Sequence, residues 1–105
     1  MRIDISGQEF DEIRTLRDYV SQRLLIVLSR YGRQVVRARV CLIDYQKGAD
    51  ETHLQCRLTI SLVSGRKIQV EGSASDLYLA IDRSVERAGR LVSLALGKTG
   101  STTPP

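Results

Sequence analysis

Apolar residues recur along this chain with two different periods, and the changes of period mark out its elements. "RIDIS", Arg2 to Ser6, alternates polar and apolar positions and is followed by Gly7, which predicts a short strand with Ile3 and Ile5 inward. Asp11 and Glu12 can cap and charge-complement a helix start, after which Ile13, Leu16, Val20, Leu24, Val27 and Tyr31 recur at helical spacing, with Gly32 suited to the end. Period two returns from Val35 to Asp44, placing Val36, Ala38, Val40 and Leu42 on one face and Arg37, Arg39, Cys41 and Ile43 on the other. The segment "YQKGADET", Tyr45 to Thr52, carries turn residues and reads as a mobile loop. Leu54, Cys56, Leu58, Ile60 and Leu62 then alternate against polar neighbours as a third strand. Ser64 and Gly65 make a tight connection to a fourth strand, with Ile68 and Val70 inward and Lys67, Gln69 and Glu71 outward. Ser75 suits the N-cap of a final helix running from Asp76 to about Leu96, and Gly97 suits its left-handed C-terminal position. The expected organisation is one domain over residues 1–96 and a disordered tail over 97–105, "GKTGSTTPP".

The order strand, helix, three strands, helix implies an α+β fold, β-α-β-β-β-α. Each strand has one apolar face, so both helices must cover the same side of a four-stranded mixed sheet and leave the other side wet. The first helix is expected to be a right-handed crossover between two parallel strands, with antiparallel pairs after it. The alternation puts Cys41 outward and Cys56 inward, too far apart in direction to form a disulfide with each other.

A length of 105 residues with 42% hydrophobic content provides one core and no cleft between domains. The N-terminus lacks the apolar run of a signal peptide and no stretch is long enough to span a bilayer, so a cytoplasmic protein without membrane contact is expected. Two cysteines and one histidine, His53, make neither a disulfide scaffold nor a metal site, and no cofactor fingerprint occurs. Nor does His53 have a carboxylate or nucleophile at a recognisable spacing, so no enzymatic activity is expected. The 16 basic and 12 acidic residues give a net charge of +4, which favours polyanionic partners. The open sheet face bears Arg37, Arg39, Arg57 and Lys67 without an aromatic platform, so stacked single-stranded RNA is not expected there.

The charge is best organised on the outer helix faces. On a wheel of about 100° per residue, Tyr78, Ile81, Val85, Ala88 and Val92 cluster on one side, and Arg83, Arg87 and Arg90 oppose them. Such a stripe can present guanidinium forks to successive phosphates. On the first helix Arg23 and Arg30 share a flank with Tyr19, while Arg14 and Arg17 lie across the core stripe. The alternative is a merely solvated face, with Asp82 and Glu86 paired locally to Arg83, Arg87 or Arg90. Gly89 costs about 1 kcal/mol against Ala inside a helix, which points to close helix packing there.

"DLYLAIDRSVERAGRL", Asp76 to Leu91, resembles the final helix of the ribosome hibernation factors, hibernation-promoting factor and ribosome-associated inhibitor. "MRIDISGQEFDEIRTLRDYVSQRL", Met1 to Leu24, is similar to the start of that family, with a Leu-Arg-acid-aromatic-Val run at Leu16 to Val20. The resemblance covers about residues 1–96 and implies a four-stranded sheet with two helices on one face. It also implies binding to small-subunit ribosomal RNA where messenger and transfer RNA would sit, blocking translation in idle ribosomes. Carried over by position, it implies RNA contacts from Arg17 and Arg23 on the first helix and from Arg87 and Arg90 on the last. Arg30, Arg83 and Lys98 join them from the wheel and from proximity. The chain ends at "GSTTPP" without the dimerising domain of long members and so resembles a short form.

The chain departs from the family where Ile26 sits between Arg23 and Arg30 and Leu94 falls in line with Arg87 and Arg90, apolar where a Lys is expected. Each lost phosphate contact would flatten the salt dependence by roughly 0.7 to 0.9 of a log unit. Leu25, Ile26, Leu91 and Leu94 could instead form an apolar surface for a protein partner or a homodimer, the competing reading of the same fold.

Overall fold

The computed structural model of the chain describes residues 1–7, 13–46 and 52–101, with side chains for all of these except 45, 46, 52, 53 and 97–101. Strands β1 (Arg2–Ser6), β2 (Val35–Gln46), β3 (Thr52–Leu62) and β4 (Lys67–Ala74) form one sheet in the order β1-β2-β3-β4. Helix α1 (Ile13–Leu28) links β1 to β2, which pair in parallel, and the remaining pairs are antiparallel. Helix α2 (Leu77–Ser101) follows β4. This is the α+β arrangement that the alternating pattern predicts, because every strand has a single apolar face to bury.

Leu16, Val20, Leu24 and Leu28 of α1, Ile81, Val85, Ala88 and Val92 of α2, and the inward residues of β2, β3 and β4 belong to one buried cluster. Ile3 and Ile5 of β1 pack against it, half-buried. Cys56 is buried in that cluster while Cys41 lies on the other face, and both are free thiols. The helices run in the same direction, since Tyr19 meets Tyr78 and Asp82 while Val27 meets Gly89.

Four local expectations are corrected. Val35, not Val36, faces the core: pairing shifts register between Val35 and Arg37, so Val36 is the extra residue of a bulge and stands 48% exposed. The first helix closes at Leu28 rather than near Tyr31, and Ser29–Gln34 follows as 3₁₀ turns broken by a kink at Gly32, whose φ of 44° is a left-handed value that a side chain would resist. The cap of α2 is Asp76 rather than Ser75: the Tyr78 amide donates to Asp76 Oδ1 at 3.0 Å, and the Ala80 amide to its carbonyl at 3.0 Å. Finally, α2 continues through Gly97 to Ser101, because glycine permits a helix end without imposing one. The helix start at Asp11 and Glu12 and the centre of the expected loop after Tyr45 lie outside the described residues.

Helix α2 is seated on β4 by a missing side chain. A Cβ on Gly72 would stand 2.5 Å from the Ala80 carbonyl oxygen and 2.7 Å from the Ser84 amide nitrogen. Beside it, the fully buried Ser84 hydroxyl donates to the Ile81 carbonyl at 3.0 Å and meets Cys56 Sγ at 3.1 Å. Burial pushes the Cys56 thiol up to about 11.

Candidate nucleic-acid interface on the helix layer

Residues 13–34 contain five arginines and one acid, and residues 77–96 contain three arginines and two acids, so the helix layer alone carries more positive charge than the whole chain's +4. Both helices bury one stripe in the core, which leaves these arginines on the flanks and outer surface. Five of the seven predicted contact residues fall into three groups, and Arg17 and Lys98 stand apart from them.

Arg30 and Arg90 come together. They line a shallow groove of about 550 Å³ between the helices, with Val27, Tyr31, Glu86, Gly89, Ser93 and Leu94. The groove exists because α1 and α2 approach closely at Gly89, where a Cβ would lie 2.6 Å from Val27 Cγ1. Neither arginine has a recorded polar partner among the described residues, so both guanidinium groups can turn toward an anion.

Arg83 and Arg87 do not project straight outward as the wheel suggests. Arg83 Nη1 donates to the Ser73 carbonyl at 2.7 Å and Arg87 Nη1 to the Glu71 carbonyl at 3.0 Å. Strand β4 lies at the sheet edge, and α2 lies over it, so the two side chains curl down and cover edge carbonyls. Each keeps further N–H donors for an anion.

Arg23 is held between the helices. Its Nε donates to Asp82 Oδ1 at 3.1 Å, and the Tyr19 hydroxyl donates to the same oxygen at 2.6 Å. Tyr19 in turn meets Tyr78 edge-on at 4.9 Å between ring centres. The Asp82 contact raises the Tyr19 pKa, because it favours the protonated phenol. The local pairs expected of Asp82 with arginines of its own helix are absent among the described residues; Asp82 reaches across to α1 instead. This cluster escapes a one-dimensional reading because its partners lie about sixty residues apart.

Arg17 is exposed on the flank of α1 away from α2, and the Lys98 side chain lies outside the described ones. Of the four apolar candidates, Leu25, Leu91 and Leu94 border three different surfaces. Leu25 borders a cleft with Met1, Leu28 and Val36, and Leu91 lies beside Arg87 and Val70 at the β4 edge. Ile26 and Leu94 are 70% and 73% exposed, Leu94 at the interhelix groove. Among the described residues no group of three His, Cys, Asp or Glu could hold a metal ion, and no helix is long and apolar enough to cross a membrane.

Fold and site together define a small α+β domain that presents arginines from two parallel helices packed on one face of a four-stranded sheet. Residues 3–98 match the sigma 54 modulation protein / S30EA ribosomal protein family, and the chain belongs to it. That membership bears out the resemblance to the ribosome hibernation factors. The chain is also similar to the N-terminal domain of Thermus thermophilus Protein Y, at 27% identity and TM-score 0.75 over 90% of this chain and 99% of that one. A ribosomal subunit interface protein from Coxiella burnetii shares the fold, at 17% identity and TM-score 0.72 over 90% and 97%. No curated protein matches the chain significantly.

Proposed function

We propose that this protein is a ribosome-associated translation inhibitor of the hibernation type, acting in the cytoplasm and without enzymatic activity. It docks its helix layer on small-subunit ribosomal RNA and occludes the sites of messenger and transfer RNA. The observation that carries this reading is the convergence of Arg30 and Arg90 on one groove in a helix layer with surplus positive charge, in a chain of the S30EA family. Two guanidinium groups lining a groove can hold a phosphodiester between them, and Arg17, Arg23, Arg83, Arg87 and Lys98 extend the contact along the backbone. Phosphate contacts position without reading sequence, which is all that occlusion requires.

The test is co-sedimentation of the pure protein with small ribosomal subunits through sucrose at low and raised salt. Binding should fall steeply with salt. Arg30→Ala with Arg90→Ala should weaken it and flatten the log–log salt slope by about 0.7 per lost contact for single strands. Loss of pelleting should be matched by loss of inhibition in a translation assay. Unchanged binding in the double variant would refute the groove assignment. The competing reading, a protein partner or second copy held by the outer helix faces with Ile26 and Leu94 at their centres, gains nothing from Leu25 and Leu91, which border other surfaces.

A further inference from the structure

Asp82 is out of place on a surface meant for a polyanion. Its carboxylate is about one-third exposed and repels phosphate, yet it makes no recorded contact with any arginine of its own helix. Its Oδ1 instead gathers two donors from α1, the Tyr19 hydroxyl at 2.6 Å and Arg23 Nε at 3.1 Å. The carboxylate is itself well fixed. Tyr19 is braced edge-on by Tyr78, and Tyr78 sits in the first turn of α2, its amide held by Asp76.

We propose that Asp82 is a positioning residue: it pins Arg23 side-on through Nε and so presents the two Nη groups of that guanidinium, already oriented, to a phosphate of the RNA backbone. The inference rests on the ribosome-binding reading above. Its geometric basis is the choice of nitrogen. An arginine held through Nε keeps its terminal fork, and neither Nη of Arg23 has a recorded protein partner among the described residues. An arginine that must be ordered on binding forfeits about two- to tenfold in affinity, which a pre-held one retains. Arg30 and Arg90, without such partners, bear that loss; Arg23 does not.

Positioning and simple charge predict opposite signs. If Asp82 only repels RNA, its removal tightens binding about two- to threefold at low salt, whatever replaces it. If it positions Arg23, Asp82→Ala weakens binding about threefold despite the lost repulsion, because the acceptor is gone. Asp82→Asn keeps an oxygen for Nε and loses the repulsion, so it tightens binding. In an Arg23→Ala background, Asp82→Ala should tighten binding, because only the charge effect remains.

These four variants and the wild type are compared by co-sedimentation of the full chain with small ribosomal subunits, with thermal melts alongside. Tightening by Asp82→Ala and Asp82→Asn alike overturns the proposal, as does equal weakening by Asp82→Ala with and without Arg23, which would mark a structural role. Should Asp82→Ala melt below the assay temperature, Arg23→Lys decides: lysine keeps the charge but offers no Nε to pin. It should bind between Arg23→Ala and the wild type, and wild-type affinity overturns the proposal. Absence of wild-type pelleting at low salt overturns the ribosome reading itself, and this inference with it.

Discussion

Gly72→Ala is the most direct challenge to the way α2 is seated. The added Cβ would lie 2.5 Å from the Ala80 carbonyl oxygen, 2.7 Å from the Ser84 amide nitrogen and 3.1 Å from Arg83 Cβ. The two closest atoms are helix backbone, so no rotamer change relieves the contact and α2 must lift from β4 by roughly 0.5 to 1 Å. Overpacking of this kind costs about 1 to 3 kcal/mol, and a backbone-on-backbone contact belongs at the upper end. Replacing a strand glycine with alanine returns roughly 0.5 to 1 kcal/mol, which leaves a net loss of about 2 kcal/mol. At about 4 to 8 °C per kcal/mol for a domain of this size, Tm should fall by about 8 to 16 °C. Gly89→Ala is the comparison. Its Cβ would meet only Val27 Cγ1, at 2.6 Å, and a valine within a helix has one strongly preferred rotamer, so overpacking again costs about 1 to 3 kcal/mol. Inside a helix alanine returns about 1 kcal/mol over glycine, so stability should fall by about 0 to 2 kcal/mol. Thermal unfolding followed by circular dichroism measures both variants. A Gly72→Ala protein that melts within about 2 °C of wild type would refute the argument that α2 rests directly on the β4 backbone.

Three further outcomes are expected. Ile26→Lys with Leu94→Lys should tighten pelleting with small subunits and steepen the salt slope by about 0.7 per new contact, measured from 50 to 200 mM salt; no change in slope would place both residues outside the contact. The Cys56 thiol, held up at about 11 by burial against an ordinary 9, leaves stability intact below pH 9. As pH rises from 9 to 11 the unfolded chain loses this proton first, and about 2 to 3 kcal/mol is lost. Urea unfolding at pH 8 and pH 10.5 should show that fall, and Cys56→Ala should show a shallower one. Lastly, native protein treated with a thiol reagent near pH 8 should react at Cys41 and not at Cys56, as read by mass spectrometry, because the buried thiol is both unreachable and protonated.

The element order, the sheet face and the core stripes were legible in the sequence, because periods of two and 3.6 residues report which side chains must leave water, and that requirement is local. Val20, Leu24, Ile60 and Ile81 could be assigned inward on that ground alone, and so could the opposite facing of Cys41 and Cys56. Family motifs in "LRDYV" and "DLYLAID" also belong to the sequence. Periodicity could not reveal the bulge that turns Val36 outward, since an extra residue in one strand is detectable only against its partner. Nor could it place Asp82. Read within its own helix, Asp82 should pair with neighbouring arginines; in the folded chain Tyr19 and Arg23 come within 2.6 and 3.1 Å of it from α1. The same holds for Arg83 and Arg87, which a wheel directs into solvent and the sheet edge draws down onto the Ser73 and Glu71 carbonyls. A helical wheel records which residues avoid the core, and only the neighbouring elements decide which donors and acceptors those residues then meet.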